Sequence, residues 1–71
     1  MEFTEHSEKI LRYLKDKEWI EISKIEQHAG LPGKKLKQIL EFLEYSAFIN
    51  FDVERKKIRI SDKGKMLLDI P

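Results

Sequence analysis

Two clusters of cations stand out as residues whose spacing suits a polyanion. One is Lys34, Lys35 and Lys37, followed by Gln38; the other is the run Arg55-Lys56-Lys57, with Arg59 two residues beyond. Lysine and arginine neutralise phosphate, and glutamine offers a donor and an acceptor together, which matches the N6 and N7 edge of adenine. Other chemistries lack their residues. The 71-residue chain has no cysteine, so disulfides and thiolate zinc sites are both excluded. His6 and His28 are too far apart in sequence to share one helical face, and no metal site is expected. No nucleophile stands beside a base, and no pair of carboxylates marks a cleft, so the chain is expected not to be an enzyme and to need no cofactor.

The Gly33-Lys34-Lys35 step has the glycine and lysine of a phosphate-binding loop, but that pattern requires glycine where His28 stands and serine or threonine after the first lysine. Charge distribution is more informative. Net charge is only +1, yet residues 1–33 carry five basic and seven acidic side chains, whereas residues 34–65 carry nine basic and five acidic. That polarity points to one basic face. A chain of this length supports a single domain, residues 1–71, around one core. Runs of apolar residues fall well short of the roughly 18 a membrane span needs. Met1-Glu2-Phe3-Thr4-Glu5 lacks the basic and apolar regions of an export signal. With no cysteine, a reducing cytoplasmic location is expected. Charged residues make up 38% of the chain, with both signs mixed, a balance seen in proteins from hot environments.

Six segments must position the cations. Thr4 is expected to cap a first helix that buries Phe3, Ile10, Leu11 and Leu14 and runs to about Lys17. Trp19-Ile20-Glu21-Ile22 reads as a short strand, with Trp19 as a core or sheet-edge anchor. Ser23-Lys24-Ile25-Glu26 has the spacing of a capping box and should open a second helix, closed by Gly30 in the left-handed conformation. Pro32 then starts a third helix, Gly33 to about Ala47, whose stripe Leu36, Ile39, Leu40, Leu43 and Ala47 repeats at three and four residues. Opposite that stripe lie Lys34, Gln38, Glu41 and Tyr45, flanked by Lys35 and Lys37. Phe42 and Tyr45 are expected to pack beneath the following strands or the first helix. After Ala47 the period changes to two. Ile49, Phe51 and Val53 share one face and Phe48, Asn50 and Asp52 the other; Ile58-Arg59-Ile60 resumes the alternation, so a hairpin with a basic tip at 54–57 is expected. Ser61 is expected to cap a final helix carrying Met66, Leu67, Leu68 and Ile70.

Helix, short strand, capped short helix, turn, longer helix and hairpin resembles the winged helix-turn-helix family over nearly the whole chain. The segments that carry the likeness are Ser23-Lys24-Ile25, the Leu31-Pro32-Gly33 turn, Leu36 to Leu43, Phe48-Ile49 and Ser61-Asp62-Lys63-Gly64-Lys65, which are similar to those of archaeal and bacterial winged regulators. The resemblance implies an α+β, mostly helical fold: a three-helix core, a short strand, a C-terminal β-hairpin wing and a short closing helix. It implies binding to double-stranded DNA as a transcription regulator, with helix 33–47 in the major groove and the wing at 54–57 on backbone phosphates. Carried over by position, Lys34, Lys35, Lys37 and Gln38 would face the groove, and Arg55, Lys56, Lys57 and Arg59 the backbone. A homodimer through Met66, Leu67, Leu68 and Ile70 would suit half-sites about 34 Å apart. Similar domains also bind protein in transcription or replication complexes; here Phe42, Tyr45 or the wing would serve.

Overall fold

Alternation at period two and repetition at three and four residues drive the same result: eleven aliphatic side chains leave water together. They are Ile10, Leu11 and Leu14, then Ile25, then Leu36, Ile39, Leu40 and Leu43, and finally Ile49, Ile58 and Ile60. The computed structural model describes the backbone of residues 2–69 and the side chains of residues 5–69. Among them the order is α1 (Glu2–Leu14), β1 (Ile20–Glu21), α2 (Ile22–Ala29), α3 (Gly33–Tyr45), β2 (Ile49–Phe51), β3 (Lys57–Ile60) and α4 (Asp62–Leu68). The fold is thus α+β and mostly helical, with four helices and a three-stranded antiparallel sheet ordered β1-β3-β2. No helix of the described residues is long and apolar enough to cross a membrane.

Register fixes what each sheet face carries. Ile20 pairs with Ile58, Ile49 with Ile60 and Phe51 with Ile58, so one face is apolar and lies on the helices. Glu21 pairs with Lys57 and Asn50 with Arg59; these four side chains are exposed and occupy the outward face. A slip of one residue would turn the isoleucines to water, so burial of this face specifies the pairing.

Several boundaries differ from the sequence expectation, each for a local reason. Helix α1 already includes Thr4, which therefore sits inside the helix and not at its cap, and the helix ends at Leu14 before Lys17. The Lys17 ammonium donates to the Tyr13 carbonyl at 3.0 Å, tying off the last turn where no further apolar residue continues the stripe. Ile22 belongs to α2, and Ser23 lies within that helix, so the expected capping box does not form. The sheet does the capping: the Ile22 N–H donates to the Lys56 carbonyl at 2.9 Å. Glu26, freed from that role, sets its Oε2 beside Gly33, 3.0 Å from where a Cβ would stand. Gly30 closes α2 with φ of 65° and its N–H on the Glu26 carbonyl, as expected.

Helix α3 stops at Tyr45, and Ala47 is exposed outside it, not part of the buried stripe. Its φ is 66°. The Ala47 N–H meets the Glu44 carbonyl and the Phe48 N–H the Leu43 carbonyl, both at 2.9 Å, the paired bonds that close a helix through a left-handed residue. Alanine carries a steric cost there that glycine does not. Ala47→Gly is therefore expected to raise stability by about 0.5–1 kcal/mol, read as a higher urea midpoint at unchanged slope.

Val53 is fully exposed and not on the face of Ile49 and Phe51, because β2 ends where Asp52 begins the loop. Tyr45 is 91% exposed and Phe42 46%, so neither is buried beneath the hairpin or α1. Met66 and Leu67 are exposed, but Leu68 packs on the core and is withdrawn from any outer surface; Ile70 lies outside the described residues, as does the side chain of Phe3. Ser61 does cap α4: its hydroxyl accepts from the Gly64 N–H at 3.0 Å and donates to the Ala47 carbonyl at 2.6 Å. One side chain thereby joins the ends of α3, β3 and α4.

Candidate nucleic-acid interface

The hairpin loop is organised by a single carboxylate. Asp52 Oδ1 accepts the backbone N–H of Lys56 at 2.8 Å and of Lys57 at 3.0 Å. Those bonds, that from Lys57 foremost, hold its pKa below the ordinary value. The Arg55 N–H closes the turn onto the Asp52 carbonyl at 3.0 Å, and Arg55 takes φ of 58°. Such a conformation disfavours a residue with a Cβ, and contacts of the Arg55 side chain hold it. Its guanidinium lies 4.1 Å from the centroid of the Phe51 ring and donates two 3.0 Å bonds to Glu44, one to each carboxylate oxygen.

This pair fixes the hairpin to α3 across eleven residues of sequence. Hydrogen bonds from Arg55 lower the Glu44 pKa, and Glu44 in turn raises that of Arg55. Both side chains are more than a third exposed, so screening by water keeps the energetic contribution small. The positional effect is larger: two donors in a planar fork set the orientation of the loop.

Between α3 and the hairpin lies a cleft of about 300 Å³. Ile22, Leu36, Leu40 and Phe51 line it together with Glu26, Lys37, Glu41 and Arg55. An adjoining hollow, bounded by Glu21, Ile22, Ser23, Glu54, Arg55, Lys56 and Lys57, shares Ile22 and Arg55 with it and continues it along the start of α2. Four of the eight cations and amides expected at the site, Lys37, Arg55, Lys56 and Lys57, thus border one continuous surface. Lys34 and Gln38 are exposed on the outward face of α3 next to it. Two do not join them. Lys35 is half-buried, about 160° around the helix from Lys37 at 100° per residue. Arg59 projects from the outward face of the sheet, its guanidinium 5.0 Å from the Trp19 ring centroid.

Five acidic residues stand beside the surface: Glu41, which helical spacing already sets on the outward face of α3, with Glu26, Glu44, Glu21 and Glu54. Glu26 reaches Gly33 at the start of α3, Glu41 lines the cleft and Glu44 holds Arg55. Nothing at helical or strand spacing links Glu44 to Arg55, so only the folded arrangement reveals the pair. Phe51 and Arg55, four apart across a turn, carried a weak signal. Among the described residues no group of three or more histidine, aspartate or glutamate side chains comes together to hold a metal ion. His28 stacks instead on Tyr13, with ring centroids 4.0 Å apart. No protein-family model, curated protein or solved structure matches the chain at a significant level, and the functional reading therefore rests on this geometry.

Proposed function

We propose that the chain is a winged helix-turn-helix domain that binds double-stranded DNA, in the manner of a transcription regulator, and acts by binding and not by catalysis. The observation that carries this reading is the continuous surface on which Lys37 of α3 meets Arg55, Lys56 and Lys57 of the hairpin loop. The element order and the β1-β3-β2 sheet support it, since they leave α3 with an exposed polar face and the hairpin loop tied beside it. In this reading α3 enters the major groove, where Lys34 and Gln38 meet base edges and Lys37 a phosphate. Lys56 and Lys57 hold the backbone. Arg55 serves as the strut that sets the loop against α3, because Glu44 already takes up two of its donors. Glu41 and Glu26 repel phosphate nearby, which lowers affinity for DNA in general and leaves more of the binding to groove contacts. Pairing of two copies through Met66 and Leu67, both exposed, would suit a palindromic site.

Binding to a duplex at several salt concentrations tests the proposal. Each neutralised phosphate adds about −0.9 to the slope of log K against log salt, so a slope of about −3 is expected for three contacts. The double change Lys56→Glu and Lys57→Glu should lower affinity and flatten the slope by about two units, with the circular dichroism spectrum unchanged since both side chains are exposed. A flat slope in the unmodified protein removes the DNA reading. The exposure of Tyr45 supports a second reading, a protein-docking module; there, Tyr45→Ala rather than the lysine changes would abolish binding to the partner.

A further inference from the structure

The outward face of the sheet holds a separate set of groups that the duplex reading does not use. Trp19, immediately before β1, is 40% exposed, and Arg59 lies over its ring. Arg59 makes no ion pair among the described residues, so its planar fork of donors stays available while the indole fixes its orientation. Asn50, its register partner on β2, makes no side-chain hydrogen bond among the described residues. Beside them a hollow of about 180 Å³ is bordered by Lys17, Arg59 and Lys65 and by the carboxylates Glu18 and Asp62. Lys17 is committed to the Tyr13 carbonyl and ring. Arg59 and Lys65 remain as the cations that face the hollow.

We propose that this face binds a nucleotide unit with an accessible base, whose phosphate sits in the hollow on Arg59, Asn50 and Lys65 while the base stacks on Trp19. The chemistry follows from the group types. Arg59 covers one face of the indole, so the base stacks on the ring surface that the guanidinium leaves exposed, while Arg59 pairs with the phosphate through two parallel donors. Bases within a duplex have no free face, so the ligand is a single strand or a free nucleotide. This site is independent of the α3 surface and stands or falls without it.

Trp19 is the one tryptophan of the chain, so its fluorescence reports the site directly. Single-stranded oligothymidylate is expected to quench the emission saturably, and a blunt duplex is not. Arg59→Ala and Lys65→Glu should each weaken oligothymidylate binding about tenfold, while Lys56→Glu with Lys57→Glu leaves it within a few-fold. Trp19→Leu, followed by anisotropy of a labelled oligothymidylate, should lower affinity between about 5- and 150-fold, the range of one base–aromatic stack. Thymidine monophosphate binding as tightly as the oligomer would assign the site to a free nucleotide; tighter binding of the oligomer, or of oligouridylate, assigns it to a DNA or RNA strand. The proposal is overturned if none of these quenches saturably up to about 1 mM, if duplex quenches equally well, or if the Lys56 and Lys57 changes abolish quenching while Arg59→Ala does not alter it.

Discussion

Gly64→Ala is expected to destabilise the protein by about 1–3 kcal/mol, although glycine inside a helix ordinarily costs stability relative to alanine. On an exposed helical surface that exchange would gain about 0.5–1 kcal/mol. Gly64 is buried, and an added Cβ would stand 2.7 Å from Ile60 Cγ1 and closer still to the Phe48 carbonyl oxygen. Neither neighbour can yield cheaply. Ile60 is a core residue of β3, and the Phe48 oxygen is backbone that accepts from the Ser61 N–H at 2.9 Å. Relief would require α4 to move away from the sheet, which would stretch the Gly64 N–H bond to Ser61 and with it the tie to Ala47. For a domain of this size each kcal/mol lowers the melting temperature by about 4–8 °C. Thermal unfolding followed by circular dichroism should show that drop, and an alanine variant at least as stable as the parent would refute the close approach of α4 to Phe48.

Some of this arrangement is legible in the sequence because it depends on local physics alone. The spacing of Leu36, Ile39, Leu40 and Leu43 requires one buried helical stripe wherever the helix lies. Gly30 closes α2 and Ser61 caps α4 through backbone groups within four residues of themselves, as their types imply, although the Ser61 hydroxyl also reaches the distant Ala47 carbonyl. Misreadings begin where a partner from elsewhere in the chain substitutes for a local one. Ser23 loses its capping role because a hairpin carbonyl already receives the Ile22 N–H. Val53 continues the alternation of β2 by type, but Asp52 captures two backbone N–H groups and bends the chain first. Phe42 and Tyr45 are apolar enough for a core, yet both lie outside the stripe of Leu36, Ile39, Leu40 and Leu43 that α3 buries.

The candidate interface divides along the same line. Clusters of lysine were visible as charge, and half of the expected residues share one surface. Which of them do so is set by contacts between elements. Lys35 and Lys37 differ by two positions and sit on opposite flanks of the helix. Arg55 reads as a free cation from its neighbours Lys56 and Lys57, but Glu44 on α3 takes up its guanidinium. Arg59 follows the basic run closely in sequence, and strand alternation turns it onto the outward face beside Trp19.

Helix α2 offers the second large effect. Ile25 is its one fully buried side chain among the described residues, packed with the core residues of α1 and α3. Ile22 and Ala29 are only half-buried, so Ile25 is the main apolar anchor of the eight-residue helix, beside the His28–Tyr13 stack and the Ile22 N–H bond to Lys56. Truncating a buried isoleucine to alanine removes the transfer energy of three carbons and leaves a cavity, at a cost of about 2–5 kcal/mol. Single cores in domains this small supply about 3–5 kcal/mol in total. Ile25→Ala is thus expected to leave much of the protein unfolded at room temperature, whereas Ile25→Val should cost about 0.5–1.5 kcal/mol and remain folded. Urea titration of both variants measures the difference, and an alanine variant within about 1 kcal/mol of the parent would show that α2 is held by something other than Ile25. The consequence reaches the interface. Helix α2 brings Ile22 and Glu26 to the cleft and places the turn that aims α3, so binding to duplex should fall in proportion to the folded fraction in Ile25→Ala. The valine variant, with α2 seated, should bind as the parent does.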